Sequence, residues 1–170
     1  MKLKLTGKKV CIFNGEVTKK TARNLILDIF NADLTKGDIY LILNSCGGDA
    51  EGGTLIFKTL KNSLKNKLIT IAAGEVASAS TLIFLSGDKR LVYPGSTFYV
   101  HAGSFDGGFN MSETKTFFKS ILYKEKDMVN IYAQNSTISK KKWAKIIQKS
   151  KVLTAKQMLK YKLATELIEA

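Results

Sequence analysis

The sequence predicts an α/β fold in which a largely parallel sheet is covered by helices. Two stretches, 38–44 and 67–73, are nearly continuous apolar runs of strand length. Such runs are typical of strands in a parallel sheet that is covered on both faces. Between them, Ile56, Leu60 and Leu64 recur at helical spacing. A strand–helix–strand unit of this kind forms a right-handed crossover, so both strands are expected to lie in one sheet.

Shorter patterns predict the elements that flank this unit. Residues 10–13 indicate a strand, and Asn14-Gly15 indicates a turn after it. Thr18 is placed to cap a helix over 19–31. The Gly-rich loop 45–49 has no lysine at the spacing that a phosphate-binding loop requires. Its paired glycines suit either a plain turn or the exposed backbone N–H groups of an oxyanion hole.

The candidate chemistry lies in residues 74–101. Gly74 is expected to end the strand 67–73, and small residues then lead into a short helix near Thr81. Ser78 therefore lies where a strand passes to a helix. This position suits a nucleophile, because the next amide points outward and the helix dipole favours negative charge. The alternative interpretation is that Ser78 is only a helix cap.

His101 is the only histidine in the chain. It follows a predicted strand over 96–100, in which Thr97 and Tyr99 share its face. Any mechanism that pairs a serine with a histidine must use His101 as the base. The alternative is a histidine that is merely hydrogen-bonded at a strand end. Ser80, two residues beyond Ser78, is expected to be replaceable by alanine with little effect.

The C-terminal part is predicted to be helical. A long helix over about 112–133 carries apolar residues beyond one stripe, including Phe117 and Tyr123, which predicts contact with another subunit. Ser139 is placed to cap the next helix, and Thr154 begins a capping box for the last one. Without repeats or linkers, residues 1–170 are expected to form a single domain with a helical arm at 112–133.

The composition restricts cofactors and partners. The formal net charge is +13, but the densest lysines, in 140–162, favour a solvated helical surface over a nucleic-acid interface. Cys11, Cys46 and one histidine provide no metal-ligand spacing, so no metal and no other cofactor is expected. Free thiols and the absence of a long apolar run predict a cytoplasmic protein.

Three motifs together resemble the proteolytic subunit of Clp protease. They are the strand and Gly pair DIYLILNSCGG at 38–48, the segment GEVASA at 74–79 and Val100-His101, with weaker matches over 12–17 and 153–163. The resemblance covers nearly the whole chain in order. Segments 77–88 and 44–49 look especially similar to the ClpP-like peptidases of phages and prophages, which process capsid proteins.

The resemblance implies a ClpP/crotonase-type fold, a superhelical parallel sheet core with outer helices and a protruding helical arm. It implies a serine endopeptidase that acts on polypeptides within a homo-oligomer of stacked rings. By position, Ser78 is the nucleophile, His101 is the general base, and the amides of Gly48 and Ala79 form the oxyanion hole.

The sequence departs from the family at several places, including Lys162 and Thr165, which replace a typical Gly and Asp. Ser150 takes the position of the third triad residue, an acid, and no carboxylate occurs from 128 to 165. This loss predicts weakened activity. Cys46 replaces a proline, and most of the N-terminal segment that lines the family's axial pore is missing, which argues against docking of a Clp ATPase. A catalytically impaired subunit and a crotonase-like acyl-CoA enzyme are the alternatives.

Overall fold

The structure is a computed structural model that describes residues 2–103 and 111–169, with the side chains of 111–114 excluded. The described part contains a seven-stranded sheet and six helices. The strands are β1 (Lys9–Val17), β2 (Ile39–Gly48), β3 (Leu68–Ala77), β4 (Lys89–Val92), β5 (Thr97–Val100), β6 (Lys151–Thr154) and β7 (Glu166–Leu167). The helices are α1 (Lys19–Asp33), α2 (Ala50–Ser63), α3 (Ser80–Leu85), α4 (Met111–Gln134), α5 (Lys140–Gln148) and α6 (Ala155–Lys160).

The sheet branches at β3. The strand order β1-β2-β3-β4-β7 is parallel throughout, and β5 also pairs in parallel with β3, at residues 75–77. β6 adds to β5 as the antiparallel strand. The predicted parallel α/β sheet is therefore confirmed. β4 pairs with residues 69–72 of β3, and β5 pairs with residues 75–77. The end of β3 that leads into the turn at Ser78 therefore lies beside β5.

Two predicted strand ends are wrong, because glycine forms a bulge at each. β3 continues through Gly74, where φ is +126°, and β1 continues through Gly15, where φ is +112°. The Asn44 side-chain oxygen accepts a hydrogen bond of 2.9 Å from Glu75 N beside the first bulge. A Cβ on Gly74 would lie 2.5 Å from that oxygen. The irregular backbone therefore stays hydrogen-bonded, and the strand does not break.

The predicted helix starts are confirmed by their caps. Thr18 and Thr21 form a reciprocal capping box at α1, and Thr154 forms one with Gln157 at α6. Ser139 accepts a hydrogen bond from Lys142 N at the start of α5. Three short strands, β4, β6 and β7, were not predicted. They have at most four residues each, which is too short for a periodic pattern to be distinguished from a loop.

The core lies between the sheet and the helices, and α3 is buried along its whole length. An aromatic group connects α3 to the C-terminal helices, in the order Phe84, Phe98, Tyr132 and Trp143. In the described residues, no helix is both long and apolar enough to cross a membrane.

The two halves of α4 differ in burial. Val129, Ile131 and Tyr132 are buried in the second half, whereas Phe118 and Leu122 in the first half are 59% and 64% exposed. The long predicted helix is therefore present. Among its described side chains, those that pack into the core of this chain lie in the second half.

Candidate active site

Ser78 occupies a strained turn between β3 and α3. Its φ is +52°, a left-handed conformation that costs a residue with a Cβ roughly 1–2 kcal/mol. Ser78 N donates a hydrogen bond of 2.8 Å to the carbonyl oxygen of Tyr99 in β5. The Ser78 side chain remains partly exposed. The turn therefore presents the hydroxyl group at the end of the sheet, which is the placement that a nucleophile requires.

Gly47 packs directly against this turn. A Cβ on Gly47 would lie 2.6 Å from Ser78 Cβ and 2.5 Å from the carbonyl oxygen of Ala77. The φ of Gly47, +95°, also excludes most other residues. The first glycine of the pair is thus required for β2 to approach Ser78.

Ser80 is fully buried, and its hydroxyl group hydrogen-bonds to the backbone of the turn that carries Ser78. Its Oγ accepts a hydrogen bond of 2.9 Å from Ala77 N and lies 2.9 Å from the Ser45 carbonyl oxygen and 2.7 Å from the Ala77 carbonyl oxygen. The hydroxyl group connects the end of β2 to the turn that carries Ser78. This arrangement changes the expectation that Ser80 is replaceable, since alanine would leave buried polar groups unpaired.

His101 follows β5 and is half-buried, with its ring stacked on Tyr99 at a centroid distance of 5.2 Å. Its Nδ1 lies 2.7 Å from the carbonyl oxygen of Ala102. A carbonyl oxygen only accepts hydrogen bonds, so this contact requires a proton on Nδ1. In the neutral ring, Nε2 is then the unprotonated nitrogen, and this is the tautomer that a general base needs.

The fold brings Ser78 and His101 to the ends of neighbouring strands. Ala77 pairs with Tyr99, so Ser78 and His101 leave β3 and β5 at nearly the same level. Within 2–103 and 111–169, Ser78 Oγ forms no hydrogen bond, so the two residues lie on neighbouring strands without a hydrogen bond between their side chains. Such contacts are often long before substrate binds. Asp106, a possible partner of His101 from the following loop, lies outside the described residues.

Ser150 lies on the other side of His101. The antiparallel ladder between β5 and β6 ends at the pair of Val100 and Lys151. His101 follows Val100 and Ser150 precedes Lys151, so both residues lie just beyond this end of the ladder. Ser150 is exposed and has a φ of +47°. Its hydroxyl group makes no hydrogen bond with any described residue, so the Ala102 carbonyl, and not Ser150, contacts the ring. The sequence does not indicate which carbonyl makes this contact, because any backbone carbonyl can provide it.

The two amides predicted to form the oxyanion hole lie at the end of β2 and at the start of α3. Gly48 has a φ of +133° and precedes Asp49, which caps α2 by accepting a hydrogen bond from Glu51 N. Ala79 N belongs to the peptide that follows Ser78. Among the described residues, no group accepts a hydrogen bond from it, and a Cβ on Gly47 would lie 3.0 Å away.

The remaining reactive groups lie apart from one another. Cys11 is partly buried, and burial, with a smaller effect of Asp28, raises the pKa of its thiol. Cys46 is exposed. In the described residues, no group of histidine, cysteine and carboxylate side chains has an arrangement that could hold a metal ion.

Comparisons with known proteins show the family of this chain. The Clp protease family model matches residues 2–170. The chain is 29% identical to the ATP-dependent Clp protease proteolytic subunit of Streptococcus mutans, covering 98% of this chain and 87% of that one. It is 28% identical to proteolytic subunit 2 of Pseudomonas aeruginosa, covering 99% and 84%.

The fold matches a solved structure of the same kind. A point mutant of ClpP1 from Listeria monocytogenes superposes with a TM-score of 0.86 at 22% identity, covering 95% of this chain and 92% of that one. The family match and the curated relatives support a serine peptidase of the hydrolase class, and the solved structure shows the same fold. The chain belongs to the Clp protease family and is a ClpP-like peptidase.

Proposed function

We propose that this chain is a serine endopeptidase in which Ser78 is the nucleophile and His101 is the general base. The observation that carries the proposal is the hydrogen bond between Ser78 N and the Tyr99 carbonyl oxygen, at 2.8 Å. It fixes a strained serine beside the strand that ends at the only histidine. A strained serine is costly and is retained where it serves a function.

The chemical steps follow from the groups present. Ser78 Oγ attacks the peptide carbonyl carbon and forms the C–O bond, while His101 Nε2 accepts the hydroxyl proton. The amides of Gly48 and Ala79 hold the oxyanion. As the intermediate collapses, the C–N bond breaks and the imidazolium returns its proton to the leaving amine. Water then hydrolyses the acyl-enzyme by the same sequence.

Peptide hydrolysis by variants tests the proposal. Ser78→Ala and His101→Asn should each reduce kcat on a fluorogenic peptide by at least a thousand-fold, because both act in one chemical unit. Ser86→Ala is the control: it removes another buried hydroxyl group, whose Oγ donates to the Ile83 carbonyl oxygen at 2.7 Å. Full activity of folded Ser78→Ala would refute the assignment.

We further propose that the activity is weaker than that of an enzyme with a complete triad. The Ala102 carbonyl fixes the tautomer of His101 but offers only a partial negative charge to the imidazolium that forms during attack. This contact also favours the second candidate, a catalytically impaired subunit. A fluorophosphonate probe distinguishes the two, since an impaired subunit would leave Ser78 unlabelled.

The substrate-cleaving form is proposed to be a homo-oligomer. Phe118 and Leu122, one helical turn apart, expose apolar surface on the first half of α4. The second half is held to α2 by ion pairs of 2.8 Å between Lys58 and Asp127 and of 2.5 Å between Lys124 and Glu51. A fixed helix with an exposed apolar stripe fits contact with a second copy in a closed symmetric assembly.

Sedimentation tests this assembly. Leu122→Gln should shift the protein toward smaller species at micromolar concentration, because it removes apolar area from the stripe. Lys119→Gln, on an already polar position of the same helix, is the matched control. A wild-type protein that sediments only as a monomer would contradict the proposal.

A further inference from the structure

Two buried hydroxyl groups connect α4 to the backbone of Ser78. The Thr81 hydroxyl oxygen lies 2.5 Å from the Ser78 carbonyl oxygen and 2.6 Å from the Tyr132 hydroxyl oxygen. Thr81 is 0% exposed and Tyr132 is 1% exposed. Neither group is needed for the chemical steps described above.

The direction of both hydrogen bonds follows from their partners. The Ser78 carbonyl oxygen only accepts, so the single hydroxyl proton of Thr81 is donated to it. Thr81 Oγ1 must then accept from Tyr132, whose hydroxyl group donates. Burial raises the pKa of Tyr132 to about 12, so this donor stays protonated at neutral pH. In such a chain each bond polarises the next.

The restrained carbonyl group belongs to the peptide whose N–H is on Ala79. In a trans peptide, the C=O and N–H bonds point in opposite directions. The Ser78 carbonyl oxygen is held inward by Thr81 Oγ1 and also by Thr81 N at 3.0 Å. The Ala79 N–H is therefore directed away from α3, toward the position proposed for the oxyanion.

We propose that Thr81 and Tyr132 are positioning residues that hold the Ser78–Ala79 peptide in the orientation required by the oxyanion hole. The inference rests on the proposed function. It also links the packing of α4 to catalysis, because Tyr132 belongs to α4. Its ring stacks on Trp143 at a centroid distance of 4.8 Å and makes an edge contact with Phe98 at a centroid distance of 6.2 Å.

Four variants test the role of the hydroxyl groups. Thr81→Val removes the hydroxyl group with little change of shape, Thr81→Ser retains it, and Tyr132→Phe keeps the stacked ring. Ser86→Ala, at the far end of α3, is the control for loss of a buried hydroxyl group. The readouts are kcat and KM on a fluorogenic peptide, the rate of labelling by a fluorophosphonate probe, and thermal unfolding.

Thr81→Val should reduce kcat and the labelling rate by ten-fold or more while KM stays within about two-fold. Tyr132→Phe should have a smaller effect in the same direction, since the Thr81 donor remains. Thr81→Ser should retain most of the rate, and Ser86→Ala should retain all of it. Equal rates for Thr81→Val and wild type, or equal losses for Thr81→Val and Thr81→Ser, would overturn the inference.

A second readout does not depend on activity. In a crystal structure of Thr81→Val, the Ser78 carbonyl group should be rotated or occupy two orientations. A single unchanged orientation, as in wild type, would overturn the inference. If the wild-type protein is not labelled at all, the proposed function fails, and the peptide orientation in the variant still decides the role of Thr81.

Discussion

Replacing Ser150 with aspartate should increase the rate of peptide hydrolysis. Position 150 and His101 each lie one residue beyond the last pair of the antiparallel ladder, Val100 and Lys151, where paired Cα atoms are about 4.5–5.5 Å apart. An added carboxylate there would face the imidazolium that forms as Ser78 is deprotonated. The left-handed φ of +47° also suits aspartate, which adopts this conformation more readily than most residues.

The expected size follows from the exposure of the site. At 4 Å, opposite unit charges attract by about 1 kcal/mol in water and about 4 kcal/mol near a protein surface with an effective dielectric constant of 20. Ser150 is exposed and His101 is half-buried, so the gain lies between these limits. A gain of about 1.4 kcal/mol corresponds to a ten-fold increase in kcat/KM.

The assay is hydrolysis of a fluorogenic peptide by Ser150→Asp, with Ser150→Asn as the matched control. Asparagine has the same shape and the same backbone preference but no charge, so only aspartate should increase the rate. Equal rates for the two variants would refute the placement of residue 150 beside His101. If Asp106→Asn then abolishes activity, the acid comes from the loop after His101.

Three further predictions concern the support of the site. Gly47→Ala should abolish activity and destabilise the fold, because its Cβ would lie 2.6 Å from Ser78 Cβ. The control Gly95→Ala also has a positive φ, +82°, but open space around it, so it should keep activity. Equal losses of activity in the two variants would contradict the proposed role of Gly47 packing. Ser80→Ala should lower the free energy of unfolding by about 1–3 kcal/mol in denaturant titrations, since its buried partners lose their hydrogen bonds. Between pH 10 and pH 12 the folded protein holds the Tyr132 proton and the unfolded chain does not, so stability falls as pH rises, by at most roughly 3 kcal/mol. The stability difference between wild type and Tyr132→Phe should shrink over this range, and a constant difference would contradict the raised pKa.

The sequence predicts the repeated patterns of this fold well. The apolar runs of β2 and β3, the helical spacing of α2 and the caps of α1 and α6 are local signals, and the structure follows them. The bulges at Gly15 and Gly74 were predicted as a turn and a strand end. A glycine with positive φ looks the same in sequence whether the strand ends or continues, and only pairing with the neighbouring strands decides.

In the candidate site, too, local signals were predictable from the sequence and the supporting contacts were not. Ser78 and His101 are predicted from local context and from the resemblance. The sequence does not show which carbonyl contacts the His101 ring, since that depends on the orientation of the ring. It does not show the contact of Thr81 with Tyr132 either, because these residues lie 51 positions apart. Ser80 and Thr81 looked like ordinary residues at a helix start. Their function depends on burial, which the sequence does not display.

The most direct measurement is peptide mapping of the protein after reaction with a fluorophosphonate probe. The probe should add one phosphonyl group per chain, on the peptide that contains Ser78 and at Ser78 itself, and His101→Asn should strongly slow the labelling. Modification at another residue, or labelling whose rate is unchanged by His101→Asn, would contradict the assignment of Ser78 as a nucleophile activated by His101.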